Sequence, residues 1–153
     1  MQSDFIPVEC QMLIRKPIAE VFNAFINPEV TVNFWFTRSS GRLEKGKTVQ
    51  WYWDMYNVST AVLVKDIEIN EKIRIEWGDP ATEVEFLFSK TSDNNTYVII
   101  RNYGFQEEGN ELIKAVADNT GGFTTVLDGA KAWLEHKLKL NLIADKFPQI
   151  EQK

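Results

Sequence analysis

The sequence predicts an α+β domain in which a curved antiparallel sheet wraps around one long C-terminal helix, in the order β-α-α-β6-α. Three observations carry this reading. Apolar and polar side chains alternate from Ile6 to Arg15; turn-forming residues divide Ser39 to Phe105 into short extended runs; and Phe123, Val126, Leu127, Ala130, Leu134, Leu138 and Leu142 recur at helical spacing.

The alternation places Ile6, Val8, Cys10, Met12 and Ile14 on one face, which makes a strand with one buried side. The period then changes. Pro17 suits a first helical position, Glu20 suits the positive end of the helix dipole, and Ile18, Val21, Phe22, Phe25 and Ile26 follow at three-to-four spacing. Asn27-Pro28 ends that helix, because the residue before a proline disfavours helical geometry. A short helical or irregular piece from Glu29 to Phe36 then presents Phe34, Trp35 and Phe36. The strands Thr48 to Asp54, Val58 to Glu68, Lys72 to Trp77, Thr82 to Ser89 and Thr96 to Phe105 are separated by turns too short for a parallel crossover. With the extended run that starts at Ser39, ahead of the Glu44-Lys45-Gly46 turn, the result is a six-stranded meander, with the first strand closing onto one of its edges. A helix from Glu111 to Asp118 precedes the last one, for which Asn119 or Thr120 supplies a cap. Taken as Gly122 to Ala144, the last helix is about 34 Å long at 1.5 Å per residue, against a radius of gyration of about 15 Å. Such a helix crosses the whole domain, and the sheet must curve around it.

At 153 residues the chain is expected to form a single domain, 1–153, large enough to bury a core without metal or disulfide. Its net charge of −5, with no segregated basic patch, argues against nucleic acid as a partner. Cys10 and His136 are each the only residue of their kind, so neither an internal disulfide nor a Cys/His zinc cluster can be built. There is no run of about 18 apolar residues, so membrane insertion is not expected, and the start lacks a secretory pattern, from which a cytoplasmic location is expected.

The stretch Ile14 to Glu29 together with Trp35 resembles the opening of the START-like (SRPBCC, helix-grip) superfamily. More narrowly, it resembles the branch named after the C-terminal domain of the activator of Hsp90 ATPase. Gly122-Phe123 followed by Leu127, Lys131 and Leu134 is similar to that branch's closing Gly-Trp…Leu…Leu-Lys pattern, and Lys72-Ile73-Arg74-Ile75-Glu76-Trp77 to its central strand. The departures are Phe123 in place of the usual Trp, Ala130 in place of a Leu, and Ile69-Asn70 in place of a Pro pair. The resemblance implies a helix-grip fold with a cavity between sheet and long helix.

Ten Phe, five Trp and four Tyr make an aromatic-rich chain. Sites for apolar small molecules are lined by such side chains with a few polar groups for orientation. The candidate ligand-binding residues are Trp35, Trp51, Trp53, Tyr56, Trp77, Arg101, Tyr103, Phe123, Leu127 and Ala130, the small pair Gly129-Ala130 leaving the space. Arg101 is either an anchor for an anionic head group, a partner of a sheet carboxylate such as Glu85, or an outward-facing residue. The loops near Trp35, Tyr56 and Asp79 to Thr82 are candidate portals. His136 is expected on a solvated surface, Cys10 in the core, and Glu83 and Glu85 on a solvent-facing strand surface. No phosphate loop, nucleophile elbow or zinc-protease motif is present, so no enzyme is argued and no cofactor or metal is expected. The expected function is binding of a small hydrophobic or amphipathic molecule. The alternatives are a co-chaperone-like interaction module with a chaperone partner and, third, an enzyme of the superfamily's cyclase or hydrolase kind. The last strand is apolar on both faces, as a dimer contact would be, and a homodimer is therefore among the expected partners.

Overall fold

The computed structural model describes residues 5–151; residues 1–4 and 152–153 of the expected domain lie outside the described residues. Strand β1 (Val8–Ile14) leads into α1 (Ile18–Ile26) and the short α2 (Pro28–Thr31). The meander follows: β2 (Arg38–Ser39), β3 (Thr48–Trp53), β4 (Val58–Glu68), β5 (Lys72–Trp77), β6 (Thr82–Lys90) and β7 (Thr96–Tyr103). The chain closes with α3 (Gly109–His136) and α4 (Leu142–Lys146). The seven strands form one antiparallel sheet in the order β1-β7-β6-β5-β4-β3-β2, so β1 closes onto one edge of the meander, and that edge is β7.

The inner face of the sheet carries Val49, Trp51, Val62, Val64, Ile73, Ile75, Val84, Phe86, Val98 and Ile100, all essentially buried. A bulge in β4 between Val64 and Asp66 shifts the register by one residue. Val64 then opposes Ile75 and Ile67 opposes Ile73, which returns Ile67 to the core side and bends the strand. Against this face α3 lays Phe123, Val126, Leu127, Ala130 and Leu134, and α1 lays Val21, Phe22 and Phe25. Burying apolar area on both sides of that contact is the main term holding the layers together.

The long helix differs from expectation at both ends. It begins at Gly109 and runs unbroken through Asn119 and Thr120, because their side chains bond back to the preceding turn instead of capping a new one: Asn119 Nδ2 donates to the Ala115 carbonyl (2.8 Å) and Thr120 Oγ1 to that of Val116 (2.7 Å). It stops at His136, where Lys137 enters the left-handed region (φ 54°) and the amides of Lys137 and Leu138 turn back onto Trp133 (2.8 Å) and Ala132 (3.3 Å). Leu138 therefore leaves the stripe and is half exposed, while Leu142 belongs to α4. The end of α3 is tied to β1: Lys131 Nζ donates to the Leu13 carbonyl (2.7 Å), and Glu135 accepts from the Arg15 amide (2.9 Å) and from Lys131 (2.6 Å).

Candidate functional site

The turn after α1 fixes the central aromatic of the site. Asn27 caps α2 by accepting from the Glu29 amide (3.1 Å), and Thr31, buried, donates to the Ala24 carbonyl (2.5 Å). The Trp35 amide then bonds the Thr31 carbonyl (3.0 Å), which drives the indole into the core. Its ring centroid lies 4.8 Å from that of Trp51, 5.9 Å from Trp77, 5.9 Å from Phe86 and 6.0 Å from Phe123. These edge-to-face and tilted contacts are the geometry in which aromatic quadrupoles attract.

Beside this cluster lies a partly open cavity of about 520 Å³. Trp35, Trp53, Trp77 and Phe123 form its inner walls, Gly122 and Val126 its α3 side, and Tyr56, Val58, Ile143, Lys146 and Phe147 its mouth, with Asp118 and Asn119 on the rim. A Cβ placed on Gly122 would meet nothing within 4 Å, so this glycine faces open space. The outer wall is built by α4. Tyr56, in the one-turn helix Asp54–Tyr56, donates its hydroxyl to the Ile143 carbonyl, with that of Ala144 at 3.2 Å, and accepts from the Phe147 amide (3.2 Å). The Tyr56 and Phe147 rings meet edge to face at 6.1 Å.

Of the ten candidate residues, five come together around the cavity: Trp35, Trp53, Tyr56, Trp77 and Phe123. Trp51, Leu127 and Ala130 are buried in the packed core beside it. The space expected at Gly129-Ala130 is occupied, because a Cβ on Gly129 would stand 3.2 Å from Phe34 Cβ and 3.4 Å from the Phe34 carbonyl oxygen. Arg101 and Tyr103 are the clearer correction. Thr96, Val98, Ile100 and Asn102 take the inner parity of β7, so Arg101 and Tyr103 point to the opposite face of the sheet. There Arg101 Nε donates to Glu9 Oε2 (2.9 Å), and the Tyr103 hydroxyl donates to Glu85 Oε1. Burial and that bond push the Tyr103 phenol well above its ordinary value. The Asp79 to Thr82 loop does not border the cavity.

Gly122, Val126, Ile143, Lys146 and Phe147 line the cavity without having been expected there. Gly121-Gly122 and the apolar Ile143 and Phe147 within a charged tail are the sequence features that mark them. Glu83, with Lys65 Nζ at 3.5 Å, lies on the outer face, Cys10 is buried beside Thr120 and Thr124, and His136 is exposed at the end of α3. Among the described residues, no group of three or more His, Cys, Asp or Glu side chains is placed to hold a metal ion, and no helix is long and apolar enough to cross a membrane.

A long helix held across one face of an antiparallel sheet defines this chain as a helix-grip α+β domain of the START-like superfamily. It belongs to the family described as Activator of Hsp90 ATPase homolog 1-like protein, which matches residues 15–135. Among solved structures it is similar to the protein SSP2350 from Staphylococcus saprophyticus, at 26% identity and a TM-score of 0.76 over 87% of this chain and 94% of that one. It is also similar to the Aha1 dimer from Colwellia psychrerythraea (16% identity, TM-score 0.72, 84% of this chain and 96% of that one). A third relative in fold is CalU16 from Micromonospora echinospora (16% identity, TM-score 0.68, 90% and 81%). A search of the curated proteins finds no match.

Proposed function

We propose that this chain binds a small hydrophobic or amphipathic molecule in the cavity between α3, α4 and the sheet. The observation that carries the reading is the unfilled volume of about 520 Å³ walled by Trp35, Trp53, Trp77 and Phe123 and bordered by the side-chain-free Gly122. That volume falls within the range of about 300 to 1,000 Å³ usual for ligand sites, and the lining is mostly apolar with a few polar groups at the mouth. Burying about 300 Å² of ligand apolar surface is worth about 7 kcal/mol before ordering costs, enough for weak to micromolar binding. Titration with lipids, flavonoids and aromatic acids is expected to quench tryptophan fluorescence saturably for at least one class. Gly122→Phe, which fills the hollow from the α3 side, is expected to abolish that response while the circular dichroism spectrum stays unchanged. A wild-type protein that responds to no class, or a Gly122→Phe variant that binds as well as wild type, overturns the reading.

A second reading, a co-chaperone-like interaction module, is favoured by the family's description and by two apolar side chains exposed at the cavity mouth, Val58 and Phe147. Its test is stimulation of a purified Hsp90-type ATPase; an unchanged rate at saturating protein removes it. A homodimer, the assembly named for the Colwellia protein, goes with this reading and is measured by sedimentation.

A further inference from the structure

The hydrogen-bonding character of the cavity wall restricts what can fill it. Trp35, Trp53 and Trp77 each bring an indole N–H to the lining residues, and none of the three has a hydrogen-bond partner among the described residues. Trp35 is only 6% exposed, yet its N–H is not among the fully enclosed polar atoms left without a partner, which are Arg74 Nε and Asn102 Oδ1. An indole N–H donates and cannot accept. The Tyr56 hydroxyl is already engaged by the Ile143 carbonyl and the Phe147 amide. The inner-wall side chains therefore carry three unpartnered donors and no unpartnered acceptor.

A cation joins them at the mouth. Lys146 extends from α4 so that its Nζ stands 3.5 Å from where a Cβ on Gly121 would lie, against α3 and next to the open face of Gly122. Lys146, like several other cations of this chain, has no carboxylate within 4.0 Å among the described residues. Its one close partner is the Phe147 ring, at 5.7 Å. Asp118 and the side-chain oxygen of Asn119 supply acceptors on the rim only. Lys146 is the one cation and Asp118 the one carboxylate among the described lining residues.

Building on the binding function proposed above, we propose that the ligand is an aromatic carboxylate, its ring between the aromatic walls and its oxygens received by the indole N–H groups and Lys146. The aromatic preference follows from walls made of Trp53, Trp77 and Phe123, each of which adds ring-to-ring attraction beyond area burial.

The test uses the full chain and four probes measured by calorimetry at pH 7: 2-naphthoate, 2-methylnaphthalene, 2-naphthylmethylammonium and decanoate. The expected order has 2-naphthoate tightest. Lys146→Met is expected to weaken 2-naphthoate about 2- to 5-fold, the range of a partly exposed charge contact, and not to weaken 2-methylnaphthalene. Tighter binding of the ammonium or the hydrocarbon, or a Lys146→Met variant with unaltered naphthoate affinity, overturns the carboxylate while leaving cavity binding standing. Tightest binding of decanoate overturns the aromatic ring. Failure of all four probes overturns this proposal, whereas the cavity reading falls only if the wider titration with lipids, flavonoids and aromatic acids also gives no response.

Discussion

Gly122 and Gly129 lie two turns apart in α3 and differ in what surrounds them. Glycine inside a helix costs about 1 kcal/mol relative to alanine, so Gly122→Ala, whose new methyl meets nothing within 4 Å, is expected to stabilise the fold by about 0.5–1 kcal/mol. Gly129→Leu drives a side chain into Phe34, including its backbone oxygen, and is expected to destabilise by about 1–3 kcal/mol. Urea unfolding of the two variants measures both, and a stabilised Gly129→Leu protein contradicts the packing described here. The sequence reading put the open space at the wrong glycine because both look alike in a helical pattern. What separates them is Phe34, which reaches α3 only in the folded chain. Arg101 stayed open among three readings for a related reason: β7 is apolar on both faces, so alternation alone did not say which side Arg101 takes, and the register with β1 settles it as an outward residue paired with the carboxylate of Glu9, not as a ligand anchor.

The elements were legible wherever a period persists and illegible where it ends. The stripe of α3 was read correctly from Phe123 to Leu134, but Leu138 and Leu142 continue the same spacing beyond the true stop. No glycine or proline marks that stop; Lys137 takes the left-handed conformation itself. The contacts that hold the end are also tertiary, above all Glu135 against the Arg15 amide and Lys131 against the Leu13 carbonyl. Burial raises the Glu135 carboxyl, and the bonds from the Arg15 amide and Lys131 more than reverse this, leaving it below the usual glutamate value of 4.5. The ion therefore contributes stability that is fully present above the ordinary glutamate range and is lost as pH falls below it. Glu135→Gln is expected to lower stability by about 1–2 kcal/mol at pH 7 and to flatten the fall below about pH 4.5, which thermal melts across that range would reveal. A variant that keeps the wild-type acid slope would place the titration in other carboxylates.

The topology of the whole molecule was readable because short turns leave few alternatives: consecutive strands must pair, and a lone leading strand must take a free edge. The cavity was less readable, since its outer wall depends on Tyr56 meeting Ile143 across 87 residues of sequence. Binding at such a site is linked to global stability. At 100 times its dissociation constant a ligand adds about 2.7 kcal/mol, which for a domain of this size raises the melting temperature by about 5–10 °C. Differential scanning fluorimetry with the tightest probe is expected to show that rise in wild type and none in Gly122→Phe. A rise of equal size in both proteins would mean that the ligand sits elsewhere.

The order in which the walls are synthesised has its own consequence. The sheet and α3 are complete once residue 136 has emerged, but the tail that roofs the tryptophans arrives only with residues 142 to 147. Of the cavity's walls, the roof is therefore the last to be synthesised, and a chain released before it would leave the tryptophan trough uncovered.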